Sequence, residues 1–267
     1  MNNESQRLSI DGGEQVNQRA ANATPAGERA RPLPHTSAAS TSITRMNQTT
    51  VFGSKTMESK RLIHPDMADT RQVDAFRELR TSLLLRCNGD NPIIVVTGVS
   101  AGCGTSFVAR NLATAIALDE SRTALLIDCH LRRPSLQEAF AIDPTSGGVL
   151  EFLESPGIGL SSIIYPTGVP RLRLIPAGRR RPSSGEVFSS YRMRVLLDVL
   201  STRYPDRCLV LDAPPTLGSP DARLLAELAD SVVLVAGAGL HQSREIAAAT
   251  RVFAPAKFAG VVFNQLP

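Results

Sequence analysis

The sequence predicts an α/β chain built on a doubly wound, mostly parallel sheet, and three observations carry that prediction. Short apolar, β-branched runs alternate with stretches of helical period along most of the 267 residues, the pattern of a parallel sheet covered by helices on both faces. The first run, starting at Ile93, ends in a glycine-rich loop that opens a helical pattern. Two later runs end in aspartates, Asp128 and Asp212, and ligands of such sheets bind beyond the C-terminal ends of the strands.

Taken in order, residues 1 to 66 are rich in Asn, Ser, Thr, Gln, Ala and Pro without an apolar period, so they are expected to form a disordered tail, either a flexible extension or a docking segment. A phosphate-loop domain is expected over 67 to 267. From Thr70, TRQVDAFRELRTSLLLRC puts Val73, Phe76, Leu79, Leu83 and Leu84 on a helical stripe. Asp74, Arg77 and Arg80 recur at spacing three on the same helix, which reads as a solvated face or as a subunit contact. IIVVTGVSAGCGTSFVARNLA, from 93 to 113, is a strand, a loop and a helix. TALLIDCHLRRPSL supplies a second buried strand ending at Asp128, and RLRLIPA at 171 to 177 a short third one. A helical pattern from about 184 to 203 leads into RCLVLDAPP, a strand ending at Asp212. The runs SVVLVAG at 231 and AGVVFN at 259 alternate with helices near 219 to 229 and 241 to 253.

Composition narrows the function classes. With 42% hydrophobic residues the chain can bury a sizeable core. The cysteines Cys87, Cys103, Cys129 and Cys208 show no C-x-x-C pairing and read as reduced thiols, not a metal or disulfide framework. There is no N-terminal signal-like apolar segment and no apolar run long enough for a span, so a cytoplasmic location is expected, with access to the membrane through a partner. A net charge of +4 with 4% aromatics argues against a nucleic-acid platform.

The loop itself is incomplete. A standard phosphate loop, G-x-x-x-x-G-K-[ST], wraps phosphates with backbone N–H groups, neutralises them with lysine and holds Mg²⁺ on the hydroxyl. Gly104 and Ser106 fill the glycine and hydroxyl positions, but Thr105 stands where the lysine belongs.

From about Asp74 to Asn264 the chain resembles the cytoplasmic phosphate-loop domain of bacterial tyrosine kinases that partner polysaccharide co-polymerases in capsule and exopolysaccharide synthesis. The resemblance is carried by DAFRELRTSL, FVARNLA, LLIDCHLRRPSL, GGVLEFL, LRLIPAG, SSYRMRVLLDVL, LVLDAPP and GVVFN, in that order. It implies that ATP or ADP is cradled by Gly102, Cys103, Gly104, Thr105, Ser106 and Phe107, with Asn264 approaching the base. It also implies Mg²⁺ at Ser106, Asp128 and Asp212, the two aspartates being the catalytic carboxylates. Asp74, Arg77 and Arg80 match the oligomerisation pattern E-x-x-R-x-x-R with Asp in place of Glu, so a homo-oligomer partnered by a membrane co-polymerase is expected.

The departures matter as much. Thr105 replaces the lysine, and His130 replaces the second carboxylate of the family's D-x-D. The tyrosines are Tyr165, Tyr191 and Tyr204, so the phosphorylated cluster of the family is not expected. Losing one preorganised donor costs about 10² to 10³ in rate, and phosphoryl transfer depends on such positioning and charge. The resemblance with these departures implies a catalytically impaired, nucleotide-binding regulator whose hold on ATP/ADP and Mg²⁺ is weak or lost. One alternative is an active autokinase in which Arg132, Arg133 or the run Arg179 to Arg181 restores the charge. Another is a partitioning or division-site ATPase, which would carry a further lysine where Ser100 stands. Three smaller features have bland readings: His130 as a neutral hydrogen-bonding ring instead of a metal ligand, Cys103 as a small filler instead of a redox thiol, and His241 with no visible partner.

Overall fold

The computed structural model describes residues 50–265 apart from 89, 90, 156, 183 and 184. These belong to the compact unit His35–Pro267, and the other unit, Met1–Pro34, lies outside the described residues. The expected tail therefore lies outside them up to residue 49, but its last part does not. Helix α1 (Ser54–Ser59) buries Met57, and Leu62 and Ile63 that follow it are 2% and 0% exposed. This corrects the boundary placed at residue 66. The apolar residues there are too few to show a period, yet each enters the core. Arg61 turns the chain out of α1 at φ 54, a left-handed position that suits glycine and strains an arginine.

Helix α2 (Thr70–Arg86) begins where Asp69 accepts a hydrogen bond from the Arg71 N–H at 3.1 Å, a standard N-cap. It buries Val73, Phe76, Leu83 and Leu84, with Leu79 packed at the edge of the core, as the stripe predicts. Four strands are near-continuous buried runs: β1 (Ile93–Gly98), β2 (Thr123–Asp128), β5 (Arg207–Asp212) and β6 (Ser231–Gly237). The shorter β3 (Tyr165–Pro166) and β4 (Leu172–Ile175) flank one side and β7 (Phe258–Asn264) the other. The sheet order is β3-β4-β2-β5-β1-β6-β7, every pair parallel except β3 with β4. The two-residue β3 carries too little sequence to betray itself.

Alternation within the strands divides the core in two. Ile94, Val96, Leu126 and Val210 face Leu83 of α2 and Leu112 and Ile116 of helix α3 (Thr105–Ala117). Val95, Leu125, Ile127 and Leu211 face the other layer, after the short α4 (Leu136–Ala139), where Leu150 of α5 (Val149–Glu154) packs. The helical pattern of 184 to 203 is interrupted: α6 (Gly185–Phe188) stops, and Ser190 caps α7 (Tyr191–Arg203) by accepting from the Met193 N–H. Serine at the cap satisfies an N–H that a continuous helix would bond internally. Leu196 of α7 and Leu225 of α8 (Asp221–Glu227) complete this layer, and α9 (Ser243–Thr250) adds Ala249.

Parallel pairing sets the site. Asp128 lies opposite Asp212 across β2 and β5, and Val96 opposite Asp212 across β1 and β5. Both aspartates and the loop after β1 therefore meet at one edge of the sheet.

Candidate functional site

The loop from Val99 to Gly104 makes its turns with Gly102 at φ 85 and Gly104 at φ 88, left-handed conformations that glycine adopts without strain. Gly98 is needed for another reason. A Cβ there would come within 2.4 Å of both Cys103 Sγ and Thr105 Oγ1. Those two atoms are 3.4 Å apart, so the Thr105 hydroxyl is turned down onto the floor of the loop. It occupies the lysine position without reaching over the loop as a lysine would. Cys103 is buried and its thiol donates to the Val235 carbonyl at 3.3 Å, the geometry of a filler. From β7, the Asn264 amide donates to the Cys103 carbonyl at 3.1 Å, which ties the last strand to the loop.

The two carboxylates are neighbours with different surroundings. Asp128 accepts from the His130 N–H at 2.9 Å and from the Ser135 and Leu136 N–H groups at 3.3 and 3.2 Å, at the start of α4. Burial raises its pKa while those bonds oppose the rise. Both oxygens of Asp212 are buried without a hydrogen-bond partner. Burial pushes its pKa well up, and the charge of Asp128 adds to this. Ser106 and Arg110, one turn apart on α3, pull it back, the Ser106 hydroxyl lying close but outside hydrogen-bond geometry.

Bare, buried carboxylate oxygens beside a hydroxyl suit a hard cation that completes its shell with phosphate and water, as Mg²⁺ does. No cluster of three His, Cys, Asp or Glu side chains capable of holding a metal occurs among the described residues, so at these strand ends the described residues offer two carboxylates and Ser106.

His130 does not replace the missing carboxylate. Burial lowers its pKa against the pull of Asp128, and its Nδ1 accepts from the Arg133 N–H at 3.3 Å. The lowered pKa favours the neutral ring at pH 7. Of the arginines that could restore charge, Arg179 and Arg181 are engaged by glutamates. Arg179 bonds Glu151 at 3.1 Å and also Glu154, and Arg181 bonds Glu154. Arg132 and Arg133 are exposed.

Three features escaped the sequence reading. Ser100 Oγ and His241 Nε2 are 2.7 Å apart, a partnership across 141 positions that no local pattern announces. Arg110 follows Ser106 at helical spacing four, a signal that was readable. Arg61 lay in the presumed tail. Arg61 and Arg110 flank the Phe107 ring at 5.8 and 5.5 Å, lining a cleft of about 620 Å³ that Asn264 and Gln265 also border. The loop residues, Asp128, Asp212, Phe107 and Asn264 thus come together, whereas the flank of α2 forms a separate place. There Asp74 and Arg77 pair at 3.4 Å on the surface, and Arg80 turns inward to the Ala115 carbonyl at 3.1 Å.

No protein-family model matches the chain. It is 30% identical over 198 residues, 74% of its length, to the tyrosine-protein kinase wzc of Salmonella typhimurium, and covers 27% of that relative. The chain thus spans about a quarter of the length of the curated relatives it matches. Among solved structures it is 30% identical to the VpsO kinase domain, with a TM-score of 0.63 over 74% of this chain and 97% of that one. The kinase domain of the Escherichia coli tyrosine kinase ETK is 26% identical, with a TM-score of 0.68 over 84% of each chain. No helix among the described residues is long and apolar enough to cross a membrane.

Proposed function

The chain belongs to the bacterial tyrosine-kinase family, and from that premise we propose that it is a catalytically impaired member that binds nucleotide and regulates capsule or exopolysaccharide synthesis and export. Its partner in this reading is a membrane polysaccharide co-polymerase, reached from the cytoplasmic side. Copies associate through the exposed flank of α2.

One observation carries the reading of impairment. Asp128 and Asp212 sit side by side at the strand ends with no lysine above them, because Thr105 is folded onto Gly98. The glycine turns and the N-terminus of α3 still make an anion cradle. Ser106, Asp128 and Asp212 would hold Mg²⁺, which supplies charge neutralisation at the transferred phosphoryl group. What this chain's residues do alone is bind the phosphates by backbone N–H and present two carboxylates, of which Asp212 carries the proton more readily. The neutral His130 adds no acceptor charge. Two losses at the same end of the site act in the same direction, each worth about 10² to 10³ in rate.

Purified protein incubated with radiolabelled ATP and Mg²⁺ tests this directly. The expected result is labelling no higher than in an Asp212→Ala control. Robust phosphotyrosine that disappears in Asp212→Ala would establish an active kinase instead.

A further inference from the structure

We propose that the cleft between α1 and the first turns of α3, and not the loop tip, is the main anion subsite of this protein, and that it takes the nucleoside monophosphate part of a nucleotide. This rests on the reading above that the chain binds nucleotide, and it specifies where the binding charge lies.

The cleft has the size and lining for such a ligand. Its volume of about 620 Å³ falls in the range of small-molecule sites. Its floor is the partly exposed Phe107 ring, with the guanidinium groups of Arg61 and Arg110 5.8 and 5.5 Å from the ring centroid. An aromatic face flanked by cations accommodates a base and a phosphate together.

Neither cation is held in a salt bridge. Among the described residues, neither Arg61 nor Arg110 makes an ion pair with a carboxylate, and Arg110 Nε is buried without a hydrogen-bond partner. Burial pulls the Arg110 pKa down, the charge of Arg61 adds to this, and Asp212 offsets part of it. Two like charges facing one partly desolvated space are relieved by an anion entering it. The acid on the rim, Glu58, lies 3.3 Å from His64 Nε2.

Position on the helix supports the assignment. Long side chains on a helix lean toward its N-terminus, so Arg110 lies back over Phe107, toward the loop. Asn264 uses its amide N–H on the Cys103 carbonyl, leaving its carbonyl oxygen, with the Gln265 amide, to meet the edge of a base. At the loop tip Thr105 is neutral, and Arg179 and Arg181 are held by glutamates. In this assignment the charge of Arg61 and Arg110 serves the nucleoside end of the ligand and not its β- and γ-phosphates. Affinity should therefore depend little on the number of phosphates or on Mg²⁺.

Calorimetric titration of the full chain with AMP, ADP and ATP, with and without Mg²⁺, tests this. The expected result is AMP binding within about tenfold of ATP, a change of less than about threefold in ATP affinity on removing Mg²⁺, and a loss of at least about tenfold for AMP in either Arg61→Gln or Arg110→Gln. Arg110→Lys should keep part of the affinity, and thermal melts confirm that the variants are folded. Binding of Mg²⁺-ATP with no binding of AMP, or folded glutamine variants with unchanged affinity, overturns the cleft as the subsite and leaves nucleotide binding itself standing. Failure of any nucleotide to bind overturns both.

Discussion

At the scale of single residues, Asp212 shows what the site costs the fold. Its raised pKa means that the native protein holds a proton that the unfolded chain releases. This contribution to stability is complete below the ordinary value of 3.8 and is lost as pH rises toward the folded value. Asp212→Asn removes a buried acid beside Asp128, so it should raise the melting temperature at pH 7 by about 2 to 4 °C, the shift that about 1 kcal/mol gives in a chain of this size. Scanning calorimetry should find the gain shrinking toward pH 4, and a destabilised variant at pH 7 would refute the argument. Thr105 is the complementary case. A lysine there meets the same pair of carboxylates and reaches the phosphates, so Thr105→Lys should raise Mg²⁺-ATP affinity about tenfold, or 1.4 kcal/mol. Unchanged affinity in calorimetry would mean that the missing charge is already supplied elsewhere.

At the scale of elements, Asn111 explains why a segment expected to be disordered is part of the core. Its side chain accepts from the Ile63 N–H at 2.8 Å and donates to the Arg61 and Phe107 carbonyls at 3.0 Å each, so α3 holds the strand of chain that follows α1. Asn111→Ala leaves the buried Ile63 N–H without a partner and should lower unfolding stability by about 2 to 3 kcal/mol, read from urea denaturation. The same variant should become open to trypsin at Arg61, and resistance there would show that the apolar anchors Met57, Leu62 and Ile63 suffice alone. Such contacts mark the boundary of what the sequence discloses. Helices α2 and α3, the strands other than β3, and the meeting of the loop with Asp128 and Asp212 follow from period and from the rule that ligands sit beyond strand ends. The break at Ser190 was also written locally, as a cap, but is masked by the helical period on both sides. The packing of residues 52 to 64, the bond between Ser100 and His241, and the fate of Arg179 and Arg181 depend on partners 25 to 141 positions away, which no window of sequence contains.

At the scale of the whole molecule, the question is how copies of this chain would meet. Arg80, one of the three residues of the expected subunit pattern, is committed internally: it donates to the Ala115 carbonyl and lies 3.9 Å from Asp119. Asp74 and Arg77 remain outside, their side chains 62% and 50% exposed. Arg77, Thr81 and Leu85 succeed one another at spacing four on the same flank of α2, and Leu85 is 74% exposed. An exposed ion pair contributes only about 0 to 1 kcal/mol, too little to hold subunits together, whereas burying a leucine adds about 1.5 to 3 kcal/mol. Leu85 should therefore contribute more to self-association than the charges, which would set its register and salt dependence. Sedimentation velocity over a concentration series should show reversible association that weakens at least about tenfold in Leu85→Asp, and less in Arg77→Glu, with melting temperatures unchanged because both side chains face solvent. Equal association by Leu85→Asp and the unaltered chain would remove this flank as the contact.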